Sequence, residues 1–242
     1  MQHPLYQQAT YLKSVPTIHL CPEHLTHEVA FAGRSNAGKS SALNVITSQK
    51  SLARTSKTPG RTQLINFFTV DDTRAVVDLP GYGYAKVNIN VKKAWEAGLS
   101  EYIQKRQTLK GLILLMDCRM PPTDIDLTML NWTQGLEMPV HVLLTKSDKL
   151  KKGPAKQSLL NVQKLLKEHY PHASAQLFSS LKREGLEQVW KKLDEWMEYQ
   201  RPPKEVFVPE PAKKDPKAKR NPKFAAQAAQ DALSTPLQQN LD

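Results

Sequence analysis

Gly33, Arg34, Ser35, Asn36, Ala37, Gly38, Lys39 and Ser40 run in the spacing Gly-x-x-x-x-Gly-Lys-Ser. Glycines so spaced let the backbone curl until successive N–H groups converge on an anion. Lys39 can then neutralise the β and γ phosphates of a nucleotide, and the Ser40 hydroxyl can ligate magnesium. The motif lies between an apolar run and a segment of helical period, which is the setting this chemistry needs. Asp78, Leu79, Pro80 and Gly81 close another apolar run. An Asp there can hold magnesium through water and a Gly can present its N–H to a γ-phosphate, although Pro-Gly after a strand is by itself only a turn.

Thr145, Lys146, Ser147 and Asp148 come about a hundred residues after the phosphate loop. The Asp148 carboxylate can accept from both N1–H and the exocyclic amine of guanine, which adenine does not offer, and the Lys146 stem can lie along the purine. Phe178, Ser179 and Ser180 precede a loop, Leu181–Gly185, in which a backbone N–H can meet the guanine O6; the same residues also suit a helix N-cap. Within Thr58, Pro59, Gly60, Arg61 and Thr62, a threonine can complete magnesium coordination when GTP orders the loop. On spacing alone Thr55, Thr58 and Thr62 are equal candidates.

Such loops must be held at the ends of strands. Apolar runs near Glu28–Ala32, Leu64–Val70, Arg74–Leu79, Leu112–Asp117, Val140–Thr145 and Gln176–Phe178 alternate with helical segments. That alternation predicts an α/β fold with helices on both faces of a mostly parallel, six-stranded sheet. Asp71 and Asp72 leave too little chain for a crossover, so the second and third runs are expected to form an antiparallel hairpin. Leu186, Val189, Trp190, Leu193, Trp196 and Met197 share one helical face, which places the two tryptophans in the core.

The 242 residues suit one domain with appendages: an extension over 1–25, a body over 26–200, and a Pro- and Lys-rich tail over 201–242 with too little apolar surface to fold. The net charge is +11, of which the tail holds +3, from eight Lys/Arg against five Asp/Glu. A surplus spread through the body favours anionic partners. Cys21 and Cys118 form no metal-binding spacing, and the longest apolar run, Leu112–Met116, is too short for a bilayer. A soluble, cytoplasmic, monomeric protein is expected, with no membrane insertion.

The strings Gly-Arg-Ser-Asn-Ala-Gly-Lys-Ser-Ser at 33–41, Thr-Pro-Gly-Arg-Thr at 58–62, Asp-Leu-Pro-Gly-Tyr-Gly-Tyr-Ala at 78–85, Thr-Lys-Ser-Asp at 145–148 and Phe-Ser-Ser at 178–180 resemble the EngB group of phosphate-loop GTPases. The resemblance covers about residues 10–200 and stops before the tail. It implies GTP and GDP contacts by residues 33–40, by Gly60, Arg61, Thr62, Gln63 and Leu64, and by 78–81, 145–148 and 178–180. It also implies magnesium held by Ser40 and Thr62, and catalysis resting on Lys39, Thr62 and Gly81. Thr145 departs from the Asn common among GTPases but agrees with this group. Tyr82 stands where Ras-like proteins carry their water-positioning Gln, so slow turnover is expected; its ring serves either catalysis or packing. GTPases with Asn at position 36 and no such Gln include users of potassium, so Asn36 is a candidate potassium ligand.

The implied role is a GTP switch in large ribosomal subunit assembly, required for normal cell division and septation. Ribosomal RNA would meet the cationic body, for example Lys86, Lys92, Lys93, Lys105, Arg106 and Lys110, together with the tail. The alternatives are an RNA-binding assembly protein whose nucleotide is structural, and an ATPase of the same superfamily, against which Asp148 speaks.

Overall fold

The computed structural model describes residues 2–53, 64–82, 89–136 and 138–202, with residues 89–95 described in backbone alone. The chain divides after Arg201 into two units, and the sheet and its helices belong to the first. Seven strands, β1 (Thr10–Val15), β2 (His27–Gly33), β3 (Ile65–Thr69), β4 (Arg74–Asp78), β5 (Leu109–Asp117), β6 (Val140–Thr145) and β7 (Ala173–Leu177), form one sheet in the order β1-β3-β4-β2-β5-β6-β7. Among the described residues four α-helices connect strands, α1 (Lys39–Ile46), α2 (Ile89–Lys105), α3 (Asp124–Gln134) and α4 (Lys152–His169), and α5 (Leu186–Trp196) follows β7.

The expected hairpin is present, with β3 antiparallel to β4, and β2 pairs in parallel with both β4 and β5, β5 with β6, and β6 with β7. The sheet has one strand more than the six expected. The seventh is β1, drawn from the segment set apart as an extension, which pairs antiparallel with β3 around a bulge at Leu12. It was missed because four of its six residues face solvent and only Val15 is buried, so it carries no apolar run.

The parallel strands read as continuous apolar runs because both of their faces are covered. Along β2, Ala30 and Ala32 face the core under α2, α3 and α4, whereas Val29 and Phe31 face the core under α1 and α5. Along β5, Leu112, Leu114 and Met116 take the first face and Ile113 and Leu115 the second. Trp190 and Trp196 lie in the second core, and Trp190 Nε1 donates to the Ile46 carbonyl at 2.9 Å, tying α5 to α1. Trp196 crosses β5 so closely that a Cβ on Gly111 would stand 2.4 Å from its ring.

The loops after β2, β4, β5, β6 and β7 leave the sheet at the carboxyl ends of strands, the edge at which open α/β sheets bind ligands.

Candidate nucleotide-binding site

The loop between β2 and α1 turns through two left-handed residues, Asn36 (φ 65°) and Gly38 (φ 94°), the latter at the N-cap of α1. Glycine takes that conformation without a side-chain clash. Lys39 and Ser40 therefore occupy the first turn of α1, where the backbone N–H groups and the helix dipole favour an anion. Ser35 N donates to the Tyr82 carbonyl at 2.8 Å, and Arg34 and Tyr82 form a parallel bridge. The phosphate loop and the Asp78–Tyr82 segment are thus strapped together.

The Lys39 ammonium forms an ion pair with Asp78 at the end of β4. Leu79 and Pro80 are buried and Gly81 is half-buried. Tyr82 turns inward: it is 1 % exposed, and its hydroxyl donates to Asp126 Oδ1 on α3 at 2.9 Å. Burial and the Asp126 charge push the phenol pKa well up. The same Asp126 accepts from the Thr123 backbone N–H at 2.9 Å and closes the capping box of α3. Of the two uses left open for Tyr82, packing is the one this geometry serves, because the ring is anchored under α3.

On the base side, the Thr145 hydroxyl lies 2.6 Å from the Ala37 carbonyl oxygen and 3.0 Å from that of Met116. Lys146, itself left-handed (φ 59°), places Nζ 2.7 Å from the Asn36 carbonyl oxygen. Asp148 has 7 % of its side chain exposed and accepts from Ser179 Oγ at 2.6 Å. Ser179 is fully buried and accepts from the Lys182 N–H at 3.1 Å, so the Phe178–Ser180 segment aims the Asp148 carboxylate. Ser147 N donates to the Phe178 carbonyl at 3.2 Å, whereas the buried Ser147 hydroxyl has no hydrogen-bond partner among the described residues.

Residues 33–40, 78–81, 145–148 and 178–180 thus converge on one edge of the sheet. Leu64 leads into β3 and is half-buried, while Gly60, Arg61, Thr62 and Gln63, with Thr55 and Thr58, lie outside the described residues. Sequence reasoning overlooked Asp117 and Arg119. Asp117 closes β5 and receives Lys146 Nζ at 2.9 Å and Arg119 Nη2 at 2.7 Å, both on Oδ2. The Arg119 fork, more than Lys146, holds its carboxyl well below the usual carboxylate range. The available signal was a carboxylate at the end of an apolar run; what was hidden was its neighbour. Among the cations assigned to RNA, Arg106 is instead turned onto buried Glu28, and Lys105 pairs with Glu101 at 3.0 Å.

The donors near the phosphate loop suit magnesium, a hard cation that prefers oxygen: the Ser40 hydroxyl sits beside the residue whose ammonium reaches the Asp78 carboxylate. No group of three His, Cys, Asp or Glu able to hold a metal occurs among the described residues. No described helix is long and apolar enough to cross a membrane.

Residues 28–146 match the family of 50S ribosome-binding GTPases. A probable GTP-binding protein EngB of Hydrogenovibrio crunogenus (strain DSM 25203 / XCL-2) is 72 % identical over 204 residues, which is 84 % of this chain and 96 % of that protein. Among solved structures, a probable GTP-binding protein engB superposes with a TM-score of 0.59 at 21 % identity, over 71 % of this chain and 98 % of that one. Era in complex with MgGDPNP and nucleotides 1506–1542 of 16S ribosomal RNA superposes with a TM-score of 0.53 at 22 % identity, over 77 % of this chain and 61 % of that one. At those identities the two superpositions speak for the fold. The family match spans the phosphate loop and the Asp78 segment and reaches Lys146, the Hydrogenovibrio protein matches over nearly its whole length, and the chain therefore belongs to the EngB family of GTP-binding proteins that hydrolyse GTP.

Proposed function

We propose that the loops gathered at the carboxyl edge of the sheet form a GTP switch acting in assembly of the large ribosomal subunit. The observation that carries the reading is the pair of bonds from Thr145 to Ala37 and from Lys146 to Asn36, which make the base-reading and phosphate loops one rigid cradle. In this reading the N–H groups of 33–40 surround the phosphates, Lys39 leaves Asp78 for the β and γ phosphates, and Asp148, held by Ser179, takes the two guanine donors. Ser40 and Thr62 hold magnesium, which when bound neutralises phosphate charge. Gly81 offers its N–H to the γ-phosphate, and Thr62 closes only on GTP. With Tyr82 buried, no side chain at that position orients the attacking water, so intrinsic turnover is slow and depends on phosphate positioning.

Partner contacts fall to the cationic body and tail, and the partner is ribosomal RNA in a large-subunit precursor. The family name and the +11 net charge support this, and the link to cell division and septation comes from the resemblance. Cosedimentation with purified large subunits in the GTP and GDP states is the test. Binding stronger with GTP is expected; failure to cosediment in either state refutes the ribosomal assignment.

A further inference from the structure

A hydroxyl has one proton to donate, and that of Thr145 is committed to the carbonyls of Ala37 and Met116. A second tether comes from the next residue: Lys146 Nζ bridges the Asn36 carbonyl oxygen, at 2.7 Å, and Asp117 Oδ2, at 2.9 Å. The two residues joined over the loop gap, Asn36 and Lys146, both stand at positive φ. Non-glycine residues persist there only when their surroundings over-determine them.

Asp117 is itself fixed on every side. Its backbone is paired in register with Thr145, the last residue of β6. Arg119 Nε donates to Oδ1 at 2.9 Å, Nη2 to Oδ2 at 2.7 Å, and the Arg119 backbone N–H to Oδ1 at 3.1 Å. Only 16 % of the Asp117 side chain is exposed, against 46 % for Arg119. A carboxylate that served only the turn after β5 would have no use for Lys146, which lies at the end of another strand.

We infer that Asp117, oriented by Arg119, is a positioning residue for nucleotide binding: it pins the Lys146 ammonium under the Asn36 carbonyl and thereby locks the base-reading loop to the phosphate loop. This rests on the assignment of Lys146 to the base-reading loop. No nucleotide contact is assigned to Asp117. Because the lock joins the base-reading and phosphate loops and makes no γ-phosphate contact, it slows the escape of GTP and GDP alike, unlike a switch residue.

The test is the dissociation rate of fluorescent GDP and of a fluorescent non-hydrolysable GTP analogue from the full chain, with thermal midpoints recorded for each variant. Losing a charge-assisted hydrogen bond predicts release faster by about 10- to 100-fold for both nucleotides in Asp117→Ala. Asp117→Asn, which keeps an acceptor of the same shape, should recover part of that loss, and it serves as the working variant if the alanine form does not fold. Arg119→Ala should accelerate release by roughly threefold, since Asp117 remains but is no longer oriented. In a Lys146→Met background, Asp117→Ala should add less than about twofold, because coupled residues are not additive. An equal effect of Asp117→Ala in both backgrounds would mean that it acts on the fold at large, and overturns the proposal. Native release from Asp117→Ala with fast release from Lys146→Met overturns the proposal alone. Native release from Lys146→Met overturns the role given to the base-reading lysine as well.

Discussion

Asp148 presents a carboxylate whose Oδ1 is already occupied by Ser179 and whose surroundings are almost closed to solvent. Asp148→Asn would set an amide N–H donor against one of the two guanine donors in a buried site, and should lose on the order of 10³-fold in GTP affinity and gain xanthosine nucleotide in exchange. Competition binding with GTP, XTP and ATP measures this. Ser40 and Thr62 should separate by nucleotide state. Ser40→Ala should weaken magnesium-dependent binding of both GTP and GDP, whereas Thr62→Ala should weaken GTP alone, and equal loss of GDP in both variants would deny Thr62 a switching role. Potassium is tested at Asn36 by comparing GTP hydrolysis in KCl and NaCl at equal ionic strength. A faster rate in KCl, abolished in Asn36→Ala, is the expected outcome; identical rates remove potassium from the mechanism. Tyr82 acts as an anchor. Tyr82→Phe leaves Asp126 Oδ1 without its donor, and should cost about 1 kcal/mol of stability in a denaturant titration.

Strand β6 carries an ionisable side chain that the site does not use. His141 is 5 % exposed, with Nδ1 2.7 Å from Ser174 Oγ and Nε2 2.9 Å from Gln176 Oε1. A neutral imidazole satisfies both contacts, donating to the Gln176 oxygen and accepting from the serine. Burial lowers its pKa, the Gln176 contact opposes this, and Lys192 lowers it further. Below the unfolded value of about 6.5 the unfolded chain binds a proton that the folded chain refuses, so stability falls as pH drops through 6.5. The denaturant midpoint should therefore decrease between about pH 7.5 and about pH 5.5 by more in the wild type than in His141→Gln. Helix α2 is docked by a second polar cluster, in which fully buried Glu28 receives Tyr102 Oη at 2.7 Å, Thr108 Oγ1 at 2.8 Å and the Arg106 guanidinium. Removing one partner of a buried ion pair typically costs about 3–5 kcal/mol. Glu28→Ala should thus unfold at markedly lower denaturant, and the docked end of α2 is the place to look for lost amide protection.

At the scale of the whole molecule, the +11 net charge favours anionic partners. The +8 outside the tail is enough for a cationic body, and the tail, with Lys213, Lys214, Lys217, Lys219, Arg220 and Lys223, lacks the apolar residues that would hold it in lipid. Truncation after Arg201, whose guanidinium pairs with Asp194 and Glu187 of the body, should leave GTP affinity intact, weaken binding to large subunits modestly, and flatten its dependence on salt, because fewer counterions are released. Cosedimentation of full-length and truncated protein at several salt concentrations reads both effects, and an unchanged salt slope would take the tail out of the contact. The loops that follow β2, β4 and β6 and the hairpin were legible as chain turns in the residues alone, because each depends on neighbours in the chain: a strand's period, a glycine where the backbone must turn left, a loop too short for a crossover. Strand β1 was not legible, because an edge strand buried at one residue in six has no periodicity to show. Nor was the direction of Tyr82, which turns on Asp126 of α3, 44 residues away, nor the partnership of Asp117 with Lys146, 29 residues apart. Those pairings exist because β6 lies beside β5 and α3 covers the end of β4. Local sequence determined which residue types each loop carries; which loops meet was decided by strand order, a long-range outcome of burying both faces of the sheet.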